Sequence, residues 1–379
     1  MPAFACADGG SLEHMAEPAD RADLARIRAG VRRVLDDFLE RQRRSLAAVG
    51  DELIPVMDVV AGLLAGGKRL RPAFCYWGWR AAGGRDCPEI LAAATALELL
   101  QASALVHDDV MDGSDTRRGL PTVHRNFARR HASAGWRGAA DSFGLGAAIL
   151  AGDLLLAWTD ELFHDSGLPA RAQRRGQPVL DAMRTEVLAG QYLDLIGQAA
   201  GDDTVASALR VAAYKSAKYT VERPLQLGAA LAGTPPGTRL TDGLSGYAMP
   251  VGVAFQLRDD ILGAFGDPSR TGKPVSDDIR AGKRTVLAAL ARERATPAQA
   301  AVLDRGLGDQ SLDERGMAEV LGVLVETGAL AECERMIERG VADALGALDA
   351  LALPDEAAVP GPARAALAEL ALAATARTG

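Results

Sequence analysis

The chain has 379 residues, 48% of them hydrophobic and only 4% aromatic, with a net charge of -8. That length suffices for a large core in one domain or two, and the acidic balance argues against a general nucleic-acid partner. No apolar run reads as long and uncharged enough to span a bilayer, and no basic stretch followed by an apolar core marks a secretory signal at the start.

Residues 1–18 mix Gly, Ala, Asp and Glu without a period and are expected to be a disordered tail; residues 19–379 are expected to form one domain. Asp20 to Ala47 carries Leu24, Ile27, Val31, Leu35 and Phe38 at helical spacing. A helix over Asp51 to Leu64 is stopped by Gly66-Gly67, and another runs from Leu70 to Ala82 with Pro72 near its start. A long helix follows from Pro88 to Asp112. Gly113 to Trp136 reads as loop-rich. Helices are then expected over Phe143–Phe163, Ala172–Gly201, Asp203–Leu231 and Leu240–Phe265, the last two parted by the turn Pro235-Pro236-Gly237. Lys283–Glu293, Pro297–Leu307, Asp313–Thr327, Leu330–Leu353 and Pro362–Ala376 complete the set. No stretch sustains period-two alternation and no internal repeat is found, so the fold class is all-α, an orthogonal helical bundle around a central cavity. Cys6, Cys75, Cys87 and Cys333 show no Cys-x-x-Cys spacing, which predicts reduced thiols of a cytoplasmic protein.

The stretch His107-Asp108-Asp109-Val110-Met111-Asp112 closes an apolar run, Ala92 to Val106, in which only Glu98 is charged. On a helix Asp108 and Asp112 share one face, one turn apart. Two like charges that close call for a cation between them, and a hard divalent ion with oxygen ligands meets that need. A solvated acidic helix end is the plainer alternative, which the preceding apolar helix argues against. A second pair, Asp259-Asp260, follows another apolar stretch. Basic residues are scattered around the two pairs: Gly66-Gly67-Lys68-Arg69-Leu70-Arg71-Pro72, Arg117-Arg118, Lys215, Lys273 and Lys283. Carboxylates with metal, ringed by Lys and Arg, describe a site for diphosphates.

These residues resemble the motifs of the trans-isoprenyl diphosphate synthases, the polyprenyl synthetase family. A DDxxD motif stands at Asp108, Asp109 and Asp112, and GGKRLRP at Gly66 to Pro72. Tyr214-Lys215-Ser216-Ala217 resembles the lysine motif, and Phe255-Gln256-Leu257-Arg258-Asp259-Asp260 the second aspartate motif. The resemblance spans about residues 60 to 290. It implies a prenyltransferase that condenses isopentenyl diphosphate with an allylic diphosphate, uses Mg2+ (three ions), and works as a homodimer.

The resemblance also implies roles. Asp108 and Asp112 bind two ions and Asp259 a third, with Asp109 and Asp260 behind them. Arg117, Lys215 and Lys273 complete the allylic diphosphate site. Gly67, Lys68, Arg71 and Arg118 hold isopentenyl diphosphate, with Gln101 two turns before Asp108 as a further contact. Phe255 and Gln256 lie near the reacting carbons, where a ring face steadies a carbocation. Ser216 replaces the commoner Thr, and Lys283 fits the last family lysine with one extra residue before it. The second motif departs from the family's DDxxD at Gly263, which implies loss of a water-mediated metal contact. His107 and His124 receive no role.

Ser103 and Ala104, one turn before Asp108, are small where fifteen-carbon synthases carry aromatics, so the resemblance favours a twenty-carbon product, geranylgeranyl diphosphate; a longer chain or farnesyl diphosphate is the alternative. Leu100, Leu97 or residues of the Gln191 helix are the next candidates to close the tunnel. The rivals are a class I terpene cyclase, whose second motif and missing basic motif do not match, and a non-catalytic partner subunit, which the intact Asp108, Asp112, Lys68 and Arg71 oppose.

Overall fold

The computed structural model describes residues 18–266, 277–352 and 358–375. Among them the only strands are two of two residues each, and the rest of the regular structure is helical. Five long helices build the centre: α1 (Pro18–Ala47), α4 (Pro88–Met111), α6 (Ala140–His164), α7 (Ala170–Ala200) and α10 (Arg239–Phe265). Shorter ones fill between them: α2 (Ile54–Ala65), α3 (Leu70–Ala81), α5 (Val123–Ser133), α8 (Val205–Val211) and α9 (Arg223–Ala232). After α10 come α11 (Asp277–Arg280), α12 (Val286–Arg294), α13 (Pro297–Gly306), α14 (Glu314–Glu326), α15 (Ala329–Ala350) and α16 (Gly361–Thr375).

Helix starts follow local chemistry. Pro88 and Pro297 begin α4 and α13, where a missing N–H costs nothing. Thr238 and Thr241 form a reciprocal cap on α10. Thr285 caps α12 by accepting from the Ala288 N–H, so Lys283 and Arg284 precede the helix instead of opening it as the sequence suggested.

α4 is the axis of the larger core. Ile90, Ala94, Leu97 and Leu99 have no exposed surface, and α3, α6 and α1 pack around them. A second core gathers Leu257 and Ile261 of α10 with Leu287, Leu303, Val320 and Ile337 of α12 to α15. α10 belongs to both cores, and Asp108 of α4 and Asp259 and Asp260 of α10 line one cavity.

Three expectations change. First, the loop-rich segment 113–136 holds a hairpin, Thr116–Arg117 paired with Leu120–Pro121, and then α5. Arg118 and Gly119 at the hairpin tip both have positive φ, 53° and 75°, which suits a type I′ turn. α5 was hidden by its many charges, yet Val123, Phe127 and His131 form a buried stripe at four-residue spacing. Second, the single helix expected over 203–231 is α8, a π-helical stretch (Ala212–Glu222) and α9. The wider turn lies just before Pro224, which has no N–H to continue the regular ladder. Third, α4 and α6 are long and apolar enough to cross a membrane by length and composition, against the expectation. In α4 the apolar surface faces protein on most sides; in α6, Leu145, Ile149 and Leu150 remain exposed.

Two glycines bring the π stretch to its place. A Cβ at Gly190 of α7 would lie 2.5 Å from the Lys215 backbone nitrogen, and one at Gly252 of α10 would lie 2.4 Å from the Ala217 Cα. With no side chain at either position, the segment carrying Lys215 and Ser216 wedges between α7 and α10. Residues 1–17, including Cys6, and Lys273 lie outside the described residues.

Candidate active site

The end of α4 presents three carboxylates, and each meets a cation from another element. Lys215 of the π stretch places its Nζ 3.2 Å from Asp108 Oδ1 and 2.6 Å from Asp194 Oδ2 on α7. Arg117 of the hairpin places Nη2 2.6 Å from Asp109 Oδ1 and 3.3 Å from Asp108 Oδ2. Lys283, between α11 and α12, lies 3.3 Å from Asp112 Oδ2 and 3.3 Å from Asp278 Oδ1.

The charges set the titration of these groups. Burial pushes the Asp108 carboxyl up, but Lys215, Lys283 and Arg117 outweigh it and hold it at about 2. Asp112 goes the other way, raised by burial and by the Asp108 charge. Burial tends to lower Lys283, yet Asp278, Asp112 and Asp108 raise it well above the ordinary lysine value. Across the cavity, burial drives Asp260 up to about 7; a hydrogen bond from Gln256 opposes this, and the Asp278 and Asp259 charges add to it.

A cavity of ≈ 1130 Å³ joins these groups. Its wall includes Asp108, Arg117, Lys215, Ser216, Phe255, Gln256, Asp259 and Lys283, together with Gly67, Lys68, Arg71, Gln101 and Arg118. Ser103 and Ala104 line it below. The sequence-predicted residues thus converge on one space, with Asp112 just behind Lys283 and not itself on the wall.

The second basic patch is pre-shaped. Gly67 has φ of 120°, and Arg69 φ of 56°. Arg69 is used internally, bonded to Glu98 and to the Leu64 carbonyl. Arg71 lies over the Tyr219 ring, 4.2 Å from its centroid, and donates to Thr220 Oγ1 at 2.7 Å. Arg71 Nε and Gln101 Oε1 are buried without a hydrogen-bond partner, which is costly unless something binds there. Burial and the neighbouring Arg117, Arg69 and Arg71 lower the Arg118 guanidinium, so an anion at this patch relieves repulsion.

On α10, Gln256 Oε1 accepts from Ser216 Oγ, and its Nε2 donates to Asp260 Oδ1 at 2.6 Å. This ties the lysine motif to the second aspartate motif. The departure at Gly263 has a structural counterpart. A Cβ there would lie 1.8 Å from Asp278 Oδ2, so the Asp278 carboxylate occupies the space next to Asp259 and Asp260 that a side chain at 263 would take.

Sequence reasoning gave no role to Asp194, Asp278, Tyr219 or Thr220. The Gly190-Gln191-Tyr192-Leu193-Asp194 segment was a usable signal for Asp194. Asp278 sits five residues before Lys283, and only folding shows it beside Gly263. His107 lies 3.3 Å from the Ile149 carbonyl and 3.6 Å from Asp153, and His124 lies 3.2 Å from Thr122 Oγ1, both in supporting positions.

Whether the donors suit a divalent ion follows from their chemistry. Among the described residues, no three carboxylates, imidazoles or thiols form a ready cage. A small hard cation that keeps waters and shares phosphate oxygens needs only one or two carboxylates per ion; Asp108 and Asp259 stand on the cavity wall, and Asp112 lies one turn beyond Asp108, paired with Lys283.

A profile of the polyprenyl synthetase family matches residues 55–324. A geranylgeranyl diphosphate synthase of Mycobacterium tuberculosis is 32% identical over 348 residues, 89% of this chain and 92% of its own. A geranylfarnesyl diphosphate synthase of Aeropyrum pernix is 33% identical over 270 residues, 70% of this chain and 78% of its own. The crystal structure of a geranylgeranyl pyrophosphate synthase from Corynebacterium glutamicum, complexed with isoprenyl diphosphate and magnesium, superposes with a TM-score of 0.88 at 40% identity, covering 94% of this chain and 99% of that one. With the acidic helix ends, the basic patches and the fold in agreement, the chain belongs to the polyprenyl synthetase family of prenyl-transferring enzymes.

Proposed function

We propose that the chain condenses isopentenyl diphosphate with allylic diphosphates, head to tail, to give geranylgeranyl diphosphate. The observation that carries this reading is that one cavity joins two separate cationic patches, one of which faces carboxylates. Arg117, Lys215 and Lys283, with Lys273, hold the allylic diphosphate. Lys68, Arg71, Arg118 and Gln101 hold the other diphosphate.

Asp108, Asp112 and Asp259 would hold three Mg2+ ions, which supply charge neutralisation to the leaving diphosphate when bound. The chain's own groups do the rest. Lys215 and Arg117 orient the leaving group, whose C–O bond breaks with the electron pair going to diphosphate. The Phe255 face and the Gln256 amide lie beside the resulting allylic cation. The isopentenyl double bond attacks that cation, and a proton leaves the new carbon chain for the released diphosphate. No side-chain base is required, in keeping with the supporting positions of His107 and His124.

The small Ser103 and Ala104 support a twenty-carbon product, because they leave the cavity open below Asp108. Leu188, Tyr192 and Ile196 form an exposed stripe on α7, and Leu145, Ile149 and Leu150 remain exposed on α6. Apolar stripes of this kind support burial against a second copy as a homodimer. The free thiols Cys75, Cys87 and Cys333 support a reducing compartment, the cytoplasm, and residues 19–379 act as one catalytic domain.

The test incubates the purified protein with Mg2+, isopentenyl diphosphate and dimethylallyl, geranyl or farnesyl diphosphate, and resolves the products. Twenty-carbon diphosphate from the protein alone is expected. Cyclised hydrocarbon indicates a cyclase, and no turnover without a second polypeptide indicates a partner subunit; either sinks the reading. Light scattering in solution checks the dimer.

A further inference from the structure

Below Ala104 the cavity continues between α4, α6 and α7, where Leu100, Leu105, Leu156 and Val187 line it. Of its lining residues on α7, Arg184 is the one farthest from Asp194. Arg184 Nη1 lies 2.6 Å from Asp160 Oδ2 on α6, and Nη2 lies 2.5 Å from Asp181 Oδ1, one turn earlier on α7. The guanidinium therefore bridges α6 and α7 at the apolar end of the cavity, and its side chain is only 18% exposed. Nothing in the condensation chemistry needs a charge there.

Its depth follows from the helix. Arg184 precedes Asp194 by ten positions on α7, about 15 Å at the α-helical rise. Lys215 binds both Asp194 and Asp108, so Asp194 marks the level of the diphosphate. One isoprene unit is comparable to a helical turn, about 5.4 Å. About three units fit between that level and the guanidinium. Farnesyl diphosphate then enters as the allylic substrate for one more condensation, and a geranylgeranyl chain does not.

We propose that the Arg184–Asp160 ion pair closes the elongation tunnel and sets the twenty-carbon limit. A lengthening hydrocarbon tail can pass only by displacing the guanidinium from an Asp160 carboxylate that is 41% exposed, which leaves the arginine charge against apolar carbon at a cost. The sequence suggested Leu100, Leu97 or a residue of the Gln191 helix as the floor; Leu100 lines the cavity, Leu97 is fully buried off it, and Arg184 belongs to the Gln191 helix. The proposal rests on the product length argued above.

The experiment elongates farnesyl diphosphate with excess isopentenyl diphosphate and Mg2+, comparing wild type, Arg184→Ala and Asp160→Asn by product length. Wild type is expected to stop at twenty carbons. Arg184→Ala raises the share of products with twenty-five or more carbons by about tenfold or more, since apolar walls alone discriminate poorly between chain lengths. Asp160→Asn keeps the shape but loosens the bridge and shifts products in the same direction by less. Coupling of dimethylallyl diphosphate, whose tail does not reach the pair, stays unchanged in both variants. If wild type makes twenty-carbon product and both variants do the same, the floor assignment fails while the product reading stands. If wild type stops at fifteen carbons or passes twenty, both fail. Should Arg184→Ala not fold, Asp160→Asn decides alone: an unaltered product profile overturns the proposal.

Discussion

The Lys215 ammonium sits 2.6 Å from the Asp194 carboxylate, a residue on a different helix and outside the two aspartate motifs. Asp194 thereby anchors the lysine that also reaches Asp108 at 3.2 Å. The reactive end of α4 is aligned by a contact made entirely outside α4, and its charge balance depends on groups from four further elements.

Asp108→Ala is expected to lower kcat/KM by several orders of magnitude at saturating Mg2+, because stabilisation of the leaving diphosphate is lost. Steady-state kinetics with geranyl diphosphate provide the check. Because Asp108 is held at about 2, the wild-type rate owes no inflection between pH 5 and 8 to this carboxylate.

Arg71→Ala is expected to weaken isopentenyl diphosphate binding by about tenfold to a hundredfold, the loss of a charge-assisted contact worth roughly 1.5–3 kcal/mol. Allylic diphosphate binding, assigned above to Arg117 and Lys215, is expected to change little. Titration calorimetry with each ligand distinguishes the two, and an equal loss for both would contradict the division of the site.

Gly263→Asp restores the family's motif on paper but forces its Cβ to within 1.8 Å of the present Asp278 oxygen. Displacing Asp278 also disturbs its ion pair with Lys283. A destabilisation of about 1–3 kcal/mol is expected from the overpacking, read by chemical denaturation. In the Asp278→Ala background the same substitution should cost less, a coupling that a double-mutant cycle measures.

Asp260 gives a pH dependence of stability in the metal-free protein. Its folded-state pKa of about 7 lies above the unfolded carboxylate value near 4, so the folded state binds more protons between them. Its contribution is full below about pH 4 and is lost as pH rises to about 7. Asp260→Asn should flatten that fall in the melting temperature; an unchanged slope would show that Asp260 does not titrate there.

Phe at Ser103 or Ala104 should shorten the product to fifteen carbons or fewer, because both residues line the cavity one turn below Asp108. Product analysis with both positions substituted and no shortening would remove them from the tunnel wall.

Much of this was legible in the sequence. The helix ending at Asp112 and the one ending beyond Asp260 follow from apolar runs that stop at carboxylates, and Lys68, Arg71, Arg117 and Lys215 are recognisable by motif. What the sequence hid was relational. The π stretch keeps the composition of an ordinary helix, and the extra residue per turn leaves no mark on the hydrophobic period. α5 was obscured because the three-residue stripe of Val123, Phe127 and His131 is matched by three arginines, Arg125, Arg129 and Arg130. Asp278 became meaningful only beside Gly263, and Arg184 only when α6 supplied Asp160. Pairings between distant helices depend on packing, which no single segment encodes.

The bare backbone at Gly190 has a consequence for how defects in this enzyme would be recognised. It touches no carboxylate and no cation, yet its closeness to the Lys215 nitrogen sets the gap between α7 and the π stretch. It works as a gauge: its smallness fixes a distance that every charge above it inherits. A methyl group there is chemically inert, but it would push the lysine's backbone outward and loosen its hold on Asp108. Such a lesion would present in kinetics as the loss of a catalytic group, although the residue altered has no side chain to lose.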